Sequence, residues 1–288
     1  MAFGKNIRTW FEGAWHEGDI AVMRAADHGL WQGSSVFDGA RLFDGVVPDL
    51  DAHCARTNRS AEALMITPTI APEDMVEIAR EGLRKYDTGA AVYVRPMYWA
   101  IAGSDLGVAP KPGETGFALC LEEVAMPDPS KATTLTTTQF RRPVLADNVT
   151  DAKAGCLYPN NARMLVEAQR KGFGNALVQD AMGNVAESAT ANVWMVKDGE
   201  YFTPMPNGTF LAGLTRKRIM GLLREGGETV HEAVLTLDDF RNADEVFLTG
   251  NFAKVTPVAG FDDVSYTPGK GTQRAREAYM DWAQGSPL

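Results

Sequence analysis

Several short stretches of this sequence carry residues whose types and spacing could do chemistry. In NVTDAKAGCLYPNNARML (148–165), Lys153 sits among Ala152, Ala154 and Gly155, just ahead of a helical pattern. A lysine attacks an aldehyde when desolvation or a nearby cation lowers its pKa and frees the neutral amine. Small neighbours let a flat ring come close to the backbone. In FLAGLTRKRIMGLL, Gly213 precedes Leu214 and Thr215, and the spacing of Leu214, Ile219, Leu222 and Leu223 starts a helix there. A helix N-terminus, with its unpaired N–H groups and positive dipole end, is a natural phosphate seat. In LTGNFAKVTPV, the Thr249-Gly250-Asn251 turn can aim successive N–H groups at an anion. In GNVAESATANVWMV, Glu187 lies among Val185, Ala186 and Ala189. A partly buried carboxylate there needs a cationic partner, which a protonated pyridine nitrogen would supply. Taken singly, each stretch also has a plain reading: a surface lysine, a helix cap, a turn, an exposed strand-end glutamate.

Those residues need elements to hold them. IRTWFEGAWHEGD reads as a hairpin turned at Glu12-Gly13. DLDAHCARTNRSAEALMI carries Leu50, Cys54, Ala61 and Leu64 at helical spacing, and APEDMVEIAREGLRKYD opens on Pro72 and acidic residues as helices do. AAVYVRPMYWAIAG is a buried strand, rich in aromatic and β-branched residues. In the second half a helix over about 159–171 precedes two hairpins, with turns at Met182-Gly183-Asn184 and Asp198-Gly199. A further helix follows LAGLT, and DEVFLTGNFAKVTPVAGF gives strand, turn and strand. MPDPSKAT, with two prolines in four residues, is the linker candidate. The expectation is a mixed α/β (α+β) fold: a small domain over 1–122, a linker over 123–131 and a larger domain over 132–288.

Composition excludes several classes. Among 288 residues, 45% are hydrophobic and 23% charged, as in soluble globular proteins. A formal net charge of -9 argues against nucleic acid or an anionic membrane as the partner, so any bound anion needs a local site. The three cysteines, Cys54, Cys120 and Cys156, form no CxxC pair and read as reduced thiols. The start lacks a signal-peptide core, and no apolar run nears the roughly 18 residues of a membrane span. A cytoplasmic protein is expected. There is no HExxH, GxSxG or GxGxxG, and the four histidines are scattered. Neither metal catalysis nor a serine–histidine triad is supported, and no metal is expected.

Taken in order, AKAG..Y before a helix, GNVAES...NVW.VKDG..FTP, LAGLTR and DEVFLTGN...VTPV resemble the class IV (fold type IV) pyridoxal-phosphate aminotransferases. The branched-chain amino acid enzymes are the nearest likeness. HGLWQGSSVFDGARLF resembles their FEGIR segment and YVRP their Y-x-R-P, so the likeness runs from about residue 8 to 262. It implies two domains with the pyridoxal 5'-phosphate site at their interface, and a homodimer or higher homo-oligomer acting on amino acids and 2-oxo acids. Lys153 matches the Schiff-base lysine and proton shuttle, and Glu187 the carboxylate on the pyridine nitrogen. Tyr158 matches the tyrosine on the phenolic oxygen, and Arg56 the phosphate arginine. Leu214, Thr215 and Asn251 match further phosphate contacts, and Leu211 the side chain on one ring face. Phe37, Gly39, Arg41, Tyr93 and Arg95 match positions that shape the substrate pocket and receive the α-carboxylate. Tyr93 and Arg95, two apart on a strand, share a face.

The implied reaction is transfer of an amino group from branched-chain L-amino acids to 2-oxoglutarate. The sequence departs from the family at Gln32 in place of an aromatic residue and at Cys156-Leu157 in place of Gly-Asn. Asn251 replaces a threonine and FDGAR replaces FEGIR. These leave an (R)-amine or D-amino-acid transaminase, or an aminodeoxychorismate-type lyase, as alternatives. If Arg95 grips the α-carboxylate, a plain amine should be a poor donor, because it would leave a buried guanidinium unpaired.

Overall fold

A computed structural model describes residues 4–288, and its chain divides into two compact units. The first runs to Met126 and also takes in Ala152–Cys156 and Ala283–Leu288; the second holds Pro127–Asp151 and Leu157–Trp282.

The first unit is a sheet of six strands: β1 (Lys5–Phe11), β2 (Ala14–Glu17), β3 (Ser35–Phe37), β4 (Ala40–Leu42), β5 (Val92–Ala100) and β6 (Thr115–Glu123). Their order is β2-β1-β6-β5-β3, all antiparallel, with β4 also on β5. The β1–β2 hairpin turns on Glu12 and Gly13, both at positive φ (49° and 83°), the twist that two-residue hairpins need. Three helices accompany the sheet: α1 (His28–Trp31), α2 (Leu50–Ala63) and α3 (Pro72–Leu83). Val92, Val94 and Tyr98 of β5 are buried, and the Tyr98 hydroxyl meets the backbone of Ile70 between α2 and α3. Tyr93 and Arg95 alternate with these and are only half-buried.

The second unit is a nine-stranded mixed sheet: β7 (Thr133–Arg141), β8 (Asn175–Gln179), β9 (Val185–Ser188), β10 (Asn192–Lys197), β11 (Glu200–Pro204), β12 (Val230–Ala233), β13 (Glu245–Gly250), β14 (Lys254–Phe261) and β15 (Val264–Ser265). The order is β12-β11-β10-β13-β14-β7-β8-β9, with β15 on β14. Its helices are α4 (Tyr158–Arg170), α5 (Leu214–Glu225), α6 (Leu237–Arg241) and α7 (Lys270–Ala283). One core gathers Leu135, Leu177, Val193, Phe240, Leu248 and Phe261. Neither α7, whose apolar positions are diluted by charge, nor β7, whose run of threonines reads as polar, was expected from the sequence pattern. All three cysteines are free thiols, Cys54 and Cys120 buried and Cys156 exposed. Among the described residues no helix is long and apolar enough to cross a membrane.

Candidate active site

In the first unit the backbone of Lys153 is fixed as part of a sheet edge. The Phe37 amide donates to the Lys153 carbonyl at 3.1 Å, and the Lys153 amide donates to Ser60 Oγ at 3.0 Å. Val36 and Ala154 form an isolated antiparallel bridge. A Cβ at position 155 would lie 2.7 Å from Ser35 Oγ. Close packing against β3 therefore accounts for the small residues around Lys153 without any ligand. The amine is held with Nζ 4.9 Å from the centre of the Phe37 ring, a cation–π distance.

Between β3 and β4 lies Asp38, fully buried. Its carboxylate accepts from His53 Nδ1 at 2.6 Å, from Arg56 Nε at 2.6 Å and Nη2 at 2.8 Å, and from the Gly39 amide at 2.7 Å. Burial alone would raise this carboxyl; the charges and hydrogen bonds of Arg56 and His53 outweigh it and hold Asp38 well below the usual carboxylate range. Arg56 is thus no helix-surface arginine. Asp38 pins the Nε–Nη2 edge of its guanidinium, which fixes where the rest of the group points.

The half-buried face of β5 gathers the residues matched to the substrate pocket. A Cβ at Gly39 would stand 2.0 Å from Tyr93 Oη, so only glycine lets the tyrosine lie there. Arg41 is paired in register with Tyr93 and is wholly buried; its Nη2 donates to the Val124 carbonyl, and burial brings its pKa down to about 10. Arg95 lies with its guanidinium carbon 5.2 Å from the Tyr93 ring centre. The β5–β6 register sets Tyr93 opposite Glu122 and Arg95 opposite Cys120, so the four share one face. Arg95 Nη1 donates to Glu122 Oε1 across that square. Arg95 therefore already has a carboxylate partner within the protein, Glu122, before any substrate is considered.

In the second unit Glu187 has the cationic partner its burial demands, and the protein provides it. Arg142 Nη2 stands 3.2 Å from Glu187 Oε1 and also donates to the carbonyls of Ser188 at 2.9 Å and Ala189 at 3.1 Å. Arg142 Nη1 donates to Asn161, one turn along α4 from Tyr158. Asn192, the first residue of β10, joins three expected residues. Its Nδ2 donates to Glu187 Oε2 and to the Leu211 carbonyl, both at 3.1 Å, and its Oδ1 accepts from the Gly213 amide at 3.0 Å. A Cβ on Gly213 would fall 2.2 Å from that oxygen. Gly213 caps α5 without a side chain, so the cap residue itself does not occupy the amides of the first turn, where Leu214 and buried Thr215 sit. The β10–β13 register sets Asn192 opposite Thr249, which brings the Gly250-Asn251 turn beside the start of β10. Asn251 Oδ1 accepts from buried Lys254 Nζ at 2.7 Å, while its buried Nδ2 lacks a hydrogen-bond partner among the described residues. Tyr158, at the start of α4, is exposed.

The first unit offers an amine suited to a carbonyl carbon; the second offers a charge-supported carboxylate suited to a ring N–H, and amides with a hydroxyl suited to a phosphate. The model of the family described as amino-transferase class IV matches residues 35–261. The chain belongs to that family. It is a pyridoxal-phosphate-dependent aminotransferase of fold type IV. It is 30% identical over 297 residues to a branched-chain-amino-acid aminotransferase of Salmonella typhimurium, covering 97% of this chain and 94% of that one. A crystal structure of an aminotransferase from Brucella abortus bound to pyridoxal phosphate superposes with a TM-score of 0.95 at 56% identity, covering 96% of this chain and 99% of that one. The branched-chain amino acid aminotransferase of Escherichia coli gives 0.88 at 28% identity, covering 99% and 96%.

Asp38, Glu122, Arg142 and Asn192 escaped the reading of this aminotransferase's sequence. Each acts on an anticipated residue from a distance along the chain that only the fold closes. A weak signal existed for Glu122: two adjacent glutamates at the end of an apolar strand force one of them inward.

Proposed function

We propose that this enzyme transfers the amino group of branched-chain L-amino acids to 2-oxoglutarate. The observation that carries the reading is the half-buried face of β5, where Tyr93 and Arg95 lie side by side and Gly39 makes room for the tyrosyl oxygen. The names of the Salmonella and Escherichia coli relatives support the donor class.

Pyridoxal phosphate, when bound, supplies an electron sink for the charge left when a proton departs the donor's Cα. Lys153 Nζ would anchor the cofactor covalently and afterwards take and return that Cα proton. Glu187 would hold a proton on the ring nitrogen, with Arg142 and Asn192 keeping the carboxylate ionised and aimed. Tyr158 would donate to the phenolic oxygen, and Leu211 would pack on a ring face. The first-turn amides at Leu214 and Thr215, together with Arg56 and Asn251, would receive the phosphate. Arg95 would orient the donor by its α-carboxylate, with Phe37, Gly39, Arg41 and Tyr93 shaping the pocket around it.

A donor panel with purified holoenzyme and 2-oxoglutarate tests this. L-Leucine, L-isoleucine and L-valine should yield glutamate faster than their D-enantiomers, and Arg95→Ala should weaken all three. Leucine turnover untouched by Arg95→Ala would remove Arg95 from the substrate site. Release of pyruvate from aminodeoxychorismate without an amino acceptor would identify a lyase instead.

A further inference from the structure

An asparagine is an ambiguous neighbour for an anion. One end of its amide donates two hydrogens, while the other carries an oxygen that a phosphate would repel. The hydroxyl of a threonine, the residue that Asn251 replaces, turns to suit and faces no such choice. In this chain Lys254 makes the choice. Its Nζ donates to Asn251 Oδ1 at 2.7 Å. An ammonium has three donors and no acceptor, so the atom facing it has to be the amide oxygen. The opposite end of the amide is therefore NH2, and this buried Nδ2 has no hydrogen-bond partner among the described residues. The turn that carries it stands beside the start of α5. A Cβ on Gly250 would lie 3.6 Å from that of Ala191, the neighbour of the Asn192 whose Oδ1 holds the Gly213 amide.

Position 254 is a costly place for a lysine. The residue is 1% exposed, and its Nζ stands 5.5 Å from the centre of the buried Tyr279 ring on α7. Its backbone is left-handed, with φ at 66°, a conformation that glycine adopts without steric penalty. Gly250 and Lys254 pair in register where the β13–β14 turn closes. Such a turn asks for a left-handed residue and burial asks for an apolar one; neither selects a cation. We propose that Lys254 is a positioning residue for the cofactor's phosphate: it holds the Asn251 amide by its oxygen, so that Nδ2 is presented to the phosphate as a donor. The proposal rests on the reading of Asn251 as a phosphate contact. Without the ammonium, nothing in this bond dictates which end of the amide an anion meets.

The test reads cofactor affinity rather than turnover. Full-length apoenzyme is titrated with pyridoxal 5'-phosphate and with pyridoxal, which has the same ring and carbonyl but no phosphate, and the two dissociation constants are compared. Lys254→Met should weaken pyridoxal 5'-phosphate by about tenfold or more and leave pyridoxal within about twofold, as loss of one donor to a charged group does. A merely structural lysine would weaken both alike, and that result overturns the proposal. Asn251→Ala should show the same selective loss, and adding Lys254→Met to it should change the ratio no further, because the lysine acts through that amide. A further selective loss in the double variant would make Lys254 act by its charge at a distance and overturns the proposal. An unchanged ratio in Lys254→Met, beside a selective loss in Asn251→Ala, overturns the role of Lys254 alone. If Asn251→Ala leaves the ratio unchanged, Asn251 is not at the phosphate and the proposal falls with that reading. Should Lys254→Met not fold, Lys254→Gln carries the test, since its amide offers both a donor and an acceptor and so no longer dictates which end Asn251 presents. A selective loss of about threefold or more is then expected, and an equal loss for both ligands, or none, overturns the proposal.

Discussion

Each unit of this aminotransferase contains an arginine–glutamate pair at a residue implicated in its chemistry, and the two pairs are built in opposite senses. In the first unit the arginine, Arg95, was the anticipated residue, and the carboxylate that neutralises it, Glu122, was not. In the second the carboxylate, Glu187, was anticipated, and Arg142 was not. Arg142 is itself buried, and besides Glu187 it meets two backbone carbonyls and Asn161, so it belongs to the frame that aims Glu187. Arg95 is partly open and is backed by the buried member of its pair. The same two residue types thus make a rigid support in one unit and an occupied seat in the other. Which member is exposed decides between them.

The Asp38–Arg56 pair takes the comparison to full burial, and there the largest effect is expected. Asp38→Asn leaves Arg56 and His53 without their counter-charge, which should cost about 3–5 kcal/mol of stability at pH 7, measured by urea unfolding. The folded Asp38 carboxyl lies well below its unfolded value of about 3.9, so its contribution is whole above about pH 5, starts to decline near the unfolded value and is gone only once the pH passes the much lower folded one. The gap between wild type and variant should begin to narrow below about pH 4 and go on narrowing as the pH falls further; a constant gap would mean that the pair contributes by packing rather than charge.

Next in size is Glu187→Gln, expected to keep the cofactor bound by its absorbance while lowering kcat by ~10²-fold. Near-normal turnover would return Glu187 to a strand-end residue. Arg142→Met should lower kcat by about tenfold, because the carboxylate keeps Asn192 but loses its cation. A loss as large as that of Glu187→Gln would make the two a single unit, and no loss would make Arg142 a purely structural arginine. The smallest effect is expected for Gly39→Ala. The added Cβ must push the Tyr93 hydroxyl aside, raising KM for leucine by about threefold to tenfold with kcat little changed, as loss of binding alone does. An unaltered KM would show that Tyr93 has room to spare.

Much of the fold could be read from local signals. Glu12-Gly13 and Asp198-Gly199 are both turns of two consecutive positive-φ residues, and Pro72 and Gly213 do start helices. A hairpin turn or a helix start is decided within a few residues, so the chain carries its own notice of them. The site was legible as a set of residue types and no further. That Arg95 is paired depends on the register of β5 against β6, which no window of sequence contains. The small residues flanking Lys153 teach the opposite lesson. They suggested room for a ring, whereas Ala154 and Gly155 are small because β3 packs against them.

The stitching of Lys153 into that sheet edge also sets a timetable. Its amide is bonded to a side chain 93 residues earlier in the chain, and its carbonyl to the amide of Phe37, farther back still. Closing loops of that length costs entropy that local turns do not, so such contacts form late. During refolding from denaturant with pyridoxal phosphate present, far-UV circular dichroism should recover first and the cofactor's bound absorbance only afterwards. Ser60→Ala, which removes one of the two tethers, should lengthen that lag.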